Sequence, residues 1–292
     1  MERIIEKART LVEALPYIRE LFQKTVVIKF GGSVLYDQAV RERTAKDIVL
    51  MKYVGMNPVL VHGGGRAISQ ALDSMGIKTE FRQGMRVTDE RVVKIVEMVL
   101  VGGENKELVA AINRAGGRAV GVSGKDSDMI FAEKLMVPGT TGDEMVDIGF
   151  VGSITRVDPT VLDSLDKAGY IPVIAPVATD ADGETWNVNA DVAAGEVAGA
   201  LKAEKLVFLT DTPGILGDEA DEQSLISAIT LDEVEELISR GAIGGGMIPK
   251  VKACCSALRH GVGKTHIIDG RVPHALLLEV FTNTGVGTQV TL

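Results

Sequence analysis

Hydrophobic positions along this chain of 292 residues follow two different periods. Short β-branched runs predict strands at 25–30, 58–61, 119–122, 171–174, 205–209 and 265–268. Amphipathic spacing between these runs predicts helices around 38–54, 66–75, 90–114, 159–168, 190–200, 231–239 and 250–260. Apolar strands that alternate with helices are typical of a mostly parallel sheet covered on both faces. The pattern therefore predicts an α/β fold, a three-layer αβα sandwich with a mostly parallel central sheet.

The first 24 residues precede the first predicted strand and have a helical apolar stripe. Pro16 interrupts this stripe, which predicts a kinked helix or two short helices with Pro16 near the first turn of the second. We interpret the segment as an appended helix whose apolar face needs a partner. The stripe consists of Ile4, Ala8, Leu11, Leu15, Ile18 and Phe22.

The stretch 125–157 departs from the alternating pattern. Its shorter runs are interrupted by Pro138, Gly139, Gly142 and Gly152, which predicts antiparallel hairpins beside the main sheet. A break near 175–180 separates two lobes. The predicted organisation is thus an oligomerisation helix at 1–24, a substrate lobe at 25–175 and a nucleotide lobe at 176–292.

Net charge, cysteine content and hydropathy limit the partners and the compartment that we expect for this chain. The net charge of −9 disfavours nucleic acid as the main partner, because phosphate neutralisation requires a basic face. The two cysteines, Cys254 and Cys255, are adjacent and have no metal-ligand spacing, so they are expected to be reduced core residues. No apolar run has the length of a membrane span, and the first residues lack an export signal. We therefore expect a cytoplasmic chain without a membrane partner.

Two glycine turns follow predicted strands. The first strand contains Lys29 and ends at Gly31 and Gly32, and a buried lysine is costly unless it meets an anion. The second strand leads into His62-Gly63-Gly64-Gly65 and a helix, an arrangement typical of anion binding at a helix N-terminus. For His62, a role in fixing the turn is favoured over a role as a base.

Two common nucleotide-binding motifs are absent from the sequence. Ile68 occupies the third glycine position of a dinucleotide fingerprint, and Leu258 occupies the first glycine position of a Walker A loop. A dinucleotide oxidoreductase and a P-loop enzyme are both disfavoured.

Further polar motifs occur later in the chain. Arg86, in Gly84-Met-Arg-Val-Thr, is suited to bind a carboxylate through two parallel hydrogen bonds. Asn187, Asn189 and Asp191 lead into a predicted helix, where helix capping is the commonest role for such residues. Lys250 follows the Gly244–Gly246 run near a helix start, where the helix dipole disfavours a cation unless an anion binds nearby.

Together these motifs resemble the amino-acid kinase superfamily, and within it the N-acetylglutamate kinases, from about residue 10 to Leu292. The resemblance implies ATP-dependent phosphorylation of the side-chain carboxylate of N-acetyl-L-glutamate in arginine biosynthesis. It implies catalytic roles for Lys29, Lys250 and Asp191. It implies substrate binding by Gly64, Gly65, Arg86, Asn187 and Asn189, and nucleotide binding by Gly31, Gly32, Thr210, Asp211, Gly214, Leu216, Gly246 and Met247. No protein metal ligand is implied, since Mg²⁺ is expected on the nucleotide phosphates and water.

The appended helix resembles that of arginine-sensitive members, in which interlaced helices form a hexamer as a trimer of dimers. The resemblance implies feedback inhibition by L-arginine through Tyr17, His266, Glu279 and Gly285. After Leu216, where a lysine of the inhibitor site is expected, this chain has Gly217-Asp218-Glu219.

Other functions stay open from the sequence alone. A kinase for aspartate, carbamate or an aminoadipate derivative requires the same phosphate chemistry. A non-catalytic arginine sensor is a different class, although both lysines and Asp191 would be unnecessary in it.

Overall fold

The structure, a computed structural model, describes residues 1–139, 144–218, 221–241, 243–282 and 285–292. The α-helices are α1 Glu2–Glu13, α2 Leu15–Leu21, α3 Ser33–Tyr36, α4 Gln38–Tyr53, α5 Gly65–Ser74, α6 Glu90–Glu97, α7 Asn105–Arg114, α8 Thr160–Lys167, α9 Ala190–Ala200, α10 Leu231–Ser239, α11 Met247–Arg259 and α12 Ala275–Phe281. A π-helix spans Met98–Glu104, and 3₁₀ turns span Asp126–Asp128 and Glu222–Ser224.

The strands are β1 Thr25–Phe30, β2 Asn57–His62, β3 Phe81–Arg82, β4 Met85–Arg86, β5 Ala119–Ser123, β6 Ile130–Pro138, β7 Met145–Val157, β8 Ile171–Ala175, β9 Val177–Thr179, β10 Thr185–Asn187, β11 Lys205–Thr210, β12 Ala228–Thr230, β13 Lys264–Asp269 and β14 Thr288–Thr291. Eight of them form the main sheet in the order β12-β14-β13-β11-β1-β2-β8-β5. All neighbouring pairs in this sheet are parallel except β13 and β14, which are antiparallel. The predicted mostly parallel sheet is confirmed.

The two faces of the main sheet are covered by separate apolar clusters. In β1, Val26, Ile28 and Phe30 join the cluster built with α4, α7 and α12. Val27 joins the other cluster, which contains α9, α10 and α11. Successive strand residues point to opposite faces, so Lys29 lies on the side of α9 and α11. This is the predicted three-layer αβα sandwich, with β1 near its centre.

The predicted interruption of the N-terminal helix is confirmed. The helix α1 ends at Glu13, and α2 begins at Leu15 with Pro16 in its first turn, where a missing N–H is tolerated. Ile4, Leu11 and Phe22 are exposed, and α2 contacts α12.

Beside the main sheet, β6 and β7 form the antiparallel hairpin predicted for 125–157. They join β9 and β10 in a small closed four-stranded barrel, and β3 with β4 forms a separate short hairpin. The predicted turn residue Gly142 lies outside the described residues. The division into lobes at 25–175 and 176–292 stays a prediction.

Other departures from the predicted pattern are local. The helix predicted over 90–114 is divided into α6, the π-helix and α7. The sequence pattern did not indicate β12, β14 or α12, because these elements are short and lack a clear period. Within the described ranges, no helix combines the length and apolar character that a bilayer crossing requires.

Candidate active site

The carboxyl ends of β11, β1 and β2 meet at one edge of the sheet, because these three strands are adjacent and parallel. The glycine turn Gly31-Gly32 follows β1, and the run Gly63–Gly65 follows β2. Thr210 ends β11, and Asp211 follows it. Ligands of open α/β sheets bind at this edge, so these turns define the candidate site.

Two lysines from distant parts of the chain share one carboxylate here. Lys29 Nζ lies 2.7 Å from Asp191 Oδ1, and Lys250 Nζ donates to Asp191 Oδ2 at 3.0 Å. The side chains of Lys29 and Asp191 are 7% and 8% exposed, and that of Lys250 is 21% exposed. These three groups alone carry one net positive charge, and the Asp211 carboxylate, which lines the same cavity, offsets part of the positive charge at Lys29.

Helix packing brings Asp191 and Lys250 together. Asp191 lies in the first turn of α9, where Asn189 caps the helix by accepting from the backbone N–H groups of Asp191 and Val192 at 2.8 and 3.2 Å. Lys250 lies in the first turn of α11. The two helices approach closely, since a Cβ built at Gly195 of α9 would lie 3.0 Å from the carbonyl oxygen of Ala253.

The pKa values at this cluster are shifted by burial and by the neighbouring charges. Burial lowers the pKa of Lys29, and Asp191 only partly offsets this effect. Burial acts to raise the pKa of Asp191, but Lys29 and Lys250 together lower it below its usual value. Asp191 is therefore ionised at neutral pH and holds both ammonium groups in place.

The turn after β1 requires a glycine. Gly32 has a φ of +53°, and a Cβ there would lie 2.1 Å from Asp211 Oδ2. The carboxylate of Asp211 thus lies against the Cα of Gly32, and any side chain at position 32 would displace it. At Gly31 a Cβ would lie 2.5 Å from Lys29 Nζ, so the ammonium group lies beside the turn.

A cavity of about 490 Å³ opens beside the two lysines, within the usual range for small-molecule sites. All of the residues that the sequence indicated for the nucleotide line it together with Lys29 and Lys250, namely Gly31, Gly32, Thr210, Asp211, Gly214, Leu216, Gly246 and Met247. Its apolar lining also includes Leu209, Ile215 and Ile243. Sequence analysis did not single out Leu209, which is an ordinary strand residue in the sequence.

Arg86 is buried beside the second glycine turn. Its Nη2 donates to the carbonyl oxygen of Gly65 at 3.0 Å and to Ser69 Oγ at 2.8 Å, and its Nη1 donates to Thr79 Oγ1 at 3.1 Å. The guanidinium stacks over the Phe81 ring at 4.7 Å. Burial lowers the pKa of Arg86, which still leaves the group charged.

Asn187 ends β10, where it pairs with Val151 of β7 and Val177 of β9. Gly64 and Gly65 lie at the N-terminus of α5, which has no side-chain cap of its own. The hydroxyl of Tyr36 instead accepts from the backbone N–H groups of Arg66 and Ala67 at 3.2 and 3.4 Å. Sequence analysis could not indicate this contact, because Tyr36 lies 30 positions before Arg66 and only folding brings them together.

His62 is fully buried, and burial lowers its pKa to about 4. The neutral ring donates from Nδ1 to the carbonyl oxygen of Gly63 at 2.8 Å and accepts at Nε2 from Asn105 Nδ2 at 3.2 Å. The ring therefore fixes the second glycine turn, as predicted, and both of its nitrogens are engaged in these contacts, so neither is free to take a proton from a substrate.

A second cluster lies near the C-terminal end of the chain. His266 Nδ1 lies 2.8 Å from Glu279 Oε1, and Glu279 Oε2 accepts from the backbone N–H of Val286 at 3.2 Å. Gly285 has a φ of +57°, and a Cβ there would lie 2.9 Å from Glu279 Oε2. Lys205 Nζ lies 3.8 Å from Glu279 Oε1. Sequence analysis missed this contact, because the two residues are far apart in the chain and only folding brings them together.

Tyr17 is half-buried in α2, the helix that contacts α12, and α12 contains Glu279. Burial lowers the pKa of His266, so its neutral ring donates from Nδ1 to Glu279. Sequence analysis also noted Glu219 near this cluster, and this position lies outside the described residues.

The model of the amino acid kinase family matches residues 24–269. This chain belongs to the amino acid kinase family. Two relatives named acetylglutamate kinase are those of Carboxydothermus hydrogenoformans, 55% identical over 100% of both chains, and Halothermothrix orenii, 52% identical over 99% of both.

Among solved structures, this amino acid kinase is similar to N-acetylglutamate synthase from Neisseria gonorrhoeae in complex with coenzyme A and N-acetylglutamate. The TM-score is 0.84 at 27% identity, and the match covers 98% of this chain but 63% of that one. Carbamate kinase from Giardia lamblia bound to AMP-PNP has the same fold, with a TM-score of 0.65 at 17% identity over 92% of this chain and 98% of the other.

Proposed function

We propose that this chain transfers the γ-phosphoryl group of ATP to the side-chain carboxylate of N-acetyl-L-glutamate, giving N-acetylglutamyl 5-phosphate and ADP. The observation that carries the proposal is the shared contact of Lys29 and Lys250 with Asp191 beside the cavity. Relatives that are 52–55% identical over 98–100% of the chain have the name acetylglutamate kinase, which supports this substrate.

The reaction needs no general base, because a side-chain carboxylate is already ionised at neutral pH. It needs instead to overcome repulsion between two anions and to stabilise the charge that develops on the transferring group. Lys29 and Lys250 supply positive charge for this purpose, and Asp191 holds both ammonium groups in place. The backbone N–H groups of the Gly31-Gly32 turn are proposed as further donors to phosphate.

Mg²⁺, when bound, neutralises phosphate charge and orients the phosphates. Among the described residues, no group of three or more His, Cys, Asp or Glu side chains is arranged to hold a metal ion. Both oxygens of Asp191 already contact lysines. This set of residues fits an ion that is held mainly by the nucleotide phosphates and water.

For the amino-acid substrate, Arg86 and Asn187 are the proposed clamp on the α-carboxylate, with Gly64, Gly65 and Asn189 beside it. Arg86 suits this role because its guanidinium is buried and oriented by Gly65, Ser69 and Thr79, which reduces the entropy lost on binding.

A coupled ADP-release assay tests the proposal. Purified full-length chain is supplied with ATP, Mg²⁺ and, in separate reactions, N-acetylglutamate, aspartate, carbamate and 2-aminoadipate. Turnover with N-acetylglutamate well above that with the other acids is expected. No turnover with N-acetylglutamate but turnover with another acid would reassign the substrate within the same reaction class.

A second function of this chain is proposed for the cluster of His266, Glu279 and Gly285, with Tyr17, as a site for L-arginine. His266 Nε2 is buried and has no hydrogen-bond partner among the described residues, which is unfavourable unless a donor binds. Glu279 is buried, and its pKa is lowered: burial opposes the shift, but the contacts of His266, Val286 and Lys205 together outweigh burial. An ionised buried carboxylate beside an unsatisfied acceptor suits a ligand with guanidinium and ammonium donors.

Thermal unfolding with and without L-arginine tests this site, with the Glu279→Gln variant as the comparison. Arginine is expected to raise the melting temperature of the native chain and to lower its turnover, and both effects should be lost in the variant. Stabilisation by arginine in a chain without any turnover would instead favour a non-catalytic arginine sensor.

We also propose that the exposed apolar face of α1 and α2 pairs with the same face of another copy. Ile4, Leu11, Val12, Leu15 and Phe22 are exposed by 51–75%, an unfavourable arrangement for an isolated surface helix. The resulting assembly would be a hexamer formed as a trimer of dimers.

A further inference from the structure

The middle of β7 contacts the chain segment that contains Arg86, although β7 does not line the cavity. The backbone N–H of Thr88 donates to the carbonyl oxygen of Ile148 at 2.9 Å, and the N–H of Phe150 donates to the carbonyl oxygen of Thr88 at 2.6 Å. Thr88 is thus held on both of its backbone polar groups by the residues on either side of Gly149. Two backbone hydrogen bonds leave it little freedom to move.

Gly149 has a conformation and a neighbourhood that admit no side chain. Its φ is +82°, and a Cβ would lie 2.1 Å from the carbonyl oxygen of Thr88 and 2.8 Å from its carbonyl carbon. Those atoms belong to the backbone, so they cannot yield as a flexible side chain can. Its N–H donates to Asp147 Oδ1 at 2.7 Å, which fixes the bend in the strand.

From Thr88 the contact continues to Arg86. Thr88 is fully buried, and its hydroxyl donates to the carbonyl oxygen of Arg86 at 2.8 Å. The guanidinium of Arg86 in turn donates to the carbonyl oxygen of Gly65 in the second glycine turn at 3.0 Å. A series of hydrogen bonds therefore runs from the residues on either side of Gly149 through Thr88 to Arg86, and from Arg86 to Gly65 in the second glycine turn.

We propose that Gly149 is a positioning residue for the amino-acid substrate. Its missing side chain allows β7 to approach the Thr88 carbonyl closely, and this approach fixes where the Arg86 guanidinium lies. The inference rests on the proposed function, since Arg86 is assigned there to the α-carboxylate. It adds a determinant of substrate affinity that does not touch the substrate or the nucleotide.

The Gly149→Ala variant tests this role by steady-state kinetics with each substrate varied in turn. A shift of the Arg86 segment by about 1 Å is expected to lower kcat/KM for N-acetylglutamate by ~10²-fold, mainly through a higher KM. The KM for ATP is expected to stay within about twofold of the native value, because no described contact joins Gly149 to the cavity.

The matched control is Gly116→Ala. Gly116 has a φ of +96°, and a Cβ there would meet no atom within 4 Å, so the variant imposes similar backbone strain without the collision. It lies just before β5, at the amino end of the strands and away from the glycine turns. Its kinetic constants are expected to match those of the native chain; an equal loss in both variants would overturn the proposal.

A double-mutant cycle with Arg86→Ala separates positioning from a general structural effect. If Gly149 acts through Arg86, adding Gly149→Ala to Arg86→Ala should raise the KM for N-acetylglutamate by no more than about twofold further. Additive losses, or a higher KM for ATP as well, would contradict the proposed route.

Thr88→Val keeps the proposal testable if Gly149→Ala does not fold. Loss of the one hydroxyl contact is expected to raise the KM for N-acetylglutamate by about 3- to 10-fold, and Thr88→Ser, which keeps the hydroxyl, should restore it. An unchanged KM in Thr88→Val would overturn the inference. If the native chain itself does not phosphorylate N-acetylglutamate, the proposed function fails, and this outcome is visible before any variant is measured.

Discussion

Lys29 occupies an environment that opposes its charge until an anion binds. It is almost fully buried in β1, and Lys250 adds repulsion, whereas Asp191 at close range and Asp211 supply negative charge. Even with both carboxylates, the pKa of Lys29 stays below its usual value, so the ammonium charge is disfavoured in the free chain. A phosphate beside both lysines would stabilise this charge, which favours nucleotide binding.

The lowered pKa of Lys29 leads to a pH prediction. Below this pKa the ammonium is present, and as pH rises through it the charge is lost. Because burial lowers the pKa from its usual value of 10.5, kcat/KM for ATP should fall on an alkaline limb that begins below pH 10.5. Bound phosphate favours the charged form of Lys29, so the alkaline limb of the kcat profile should lie at higher pH than that of kcat/KM.

Initial rates across alkaline pH measure both limbs, with enzyme returned to neutral pH as the control for inactivation. A kcat/KM for ATP that stays constant up to pH 10.5 would mean that Lys29 is not needed in its charged form.

Single residues differ in how far the sequence could predict them. Sequence analysis indicated Lys29 and Gly32 because a buried lysine is costly unless it meets an anion, and adjacent glycines let backbone N–H groups approach a phosphate closely. The contacts of Arg86 with Ser69 and Thr79 could not be predicted, because they depend on how α5 lies beside the β3–β4 hairpin. The contact of Lys205 with Glu279 was missed because the two residues come together only in the folded chain.

At the scale of elements, the N-terminus of α5 depends on a neighbouring helix. Tyr36 ends α3, which begins directly after the Gly31-Gly32 turn, and its hydroxyl accepts from two N–H groups of α5. The contact couples the turn after β1 to the turn after β2. Burial raises the pKa of Tyr36, so the hydroxyl stays neutral at physiological pH.

Tyr36→Phe removes this hydroxyl and retains the ring. Loss of a distant cap is expected to lower the free energy of unfolding by about 1 kcal/mol, as for other N-terminal caps. Denaturant unfolding measures the change. Tyr53→Phe is the control, because Tyr53 is 77% exposed and its hydroxyl donates to the carbonyl oxygen of Gly116 in a loop. Equal stability of Tyr36→Phe and the native chain would show that α5 does not depend on this cap.

Elements with a strong period were predicted well, and short ones were not. All six predicted strands exist, because strands buried on both faces are continuously apolar. The long helices also exist, because one buried face repeats apolar residues at helical spacing, although the helix predicted over 90–114 is divided. The π-helix at Met98–Glu104 could not be read from the sequence, since its residues continue the apolar pattern of the flanking helices. The edge strand β14, of four residues, is too short to show a period.

At the scale of the whole molecule, the N-terminal helices are the part that the sandwich does not cover. Apolar residues along α1 are largely exposed, although α2 contacts α12. A chain that starts near Lys24 should therefore assemble from fewer copies than the full chain if these helices pair between copies. Light scattering after size exclusion gives both native masses, and division by each chain mass gives the number of copies. The same number of copies in both would exclude pairing through this segment.

The overall arrangement follows from the order of the elements more than from any single contact. Alternation of strands and helices determines a parallel sheet, and a parallel sheet brings the ends of β11, β1 and β2 to one edge. The approach of α9 to α11 then brings Asp191 and Lys250 to Lys29. The sequence indicated these three residues, but the distances between them depend on helix packing.

The most direct test of the account is the turnover of Lys29→Ala with N-acetylglutamate and ATP both saturating. Loss of one of the two charges on the transferring group is expected to lower kcat by ~10²–10³-fold. Lys52→Ala is the control, since Lys52 also pairs with a carboxylate, Asp166, but does not line the cavity, and its kcat should be unchanged. A folded Lys29→Ala chain with a kcat close to that of the native chain would contradict the central claim that both lysines stabilise the phosphoryl group.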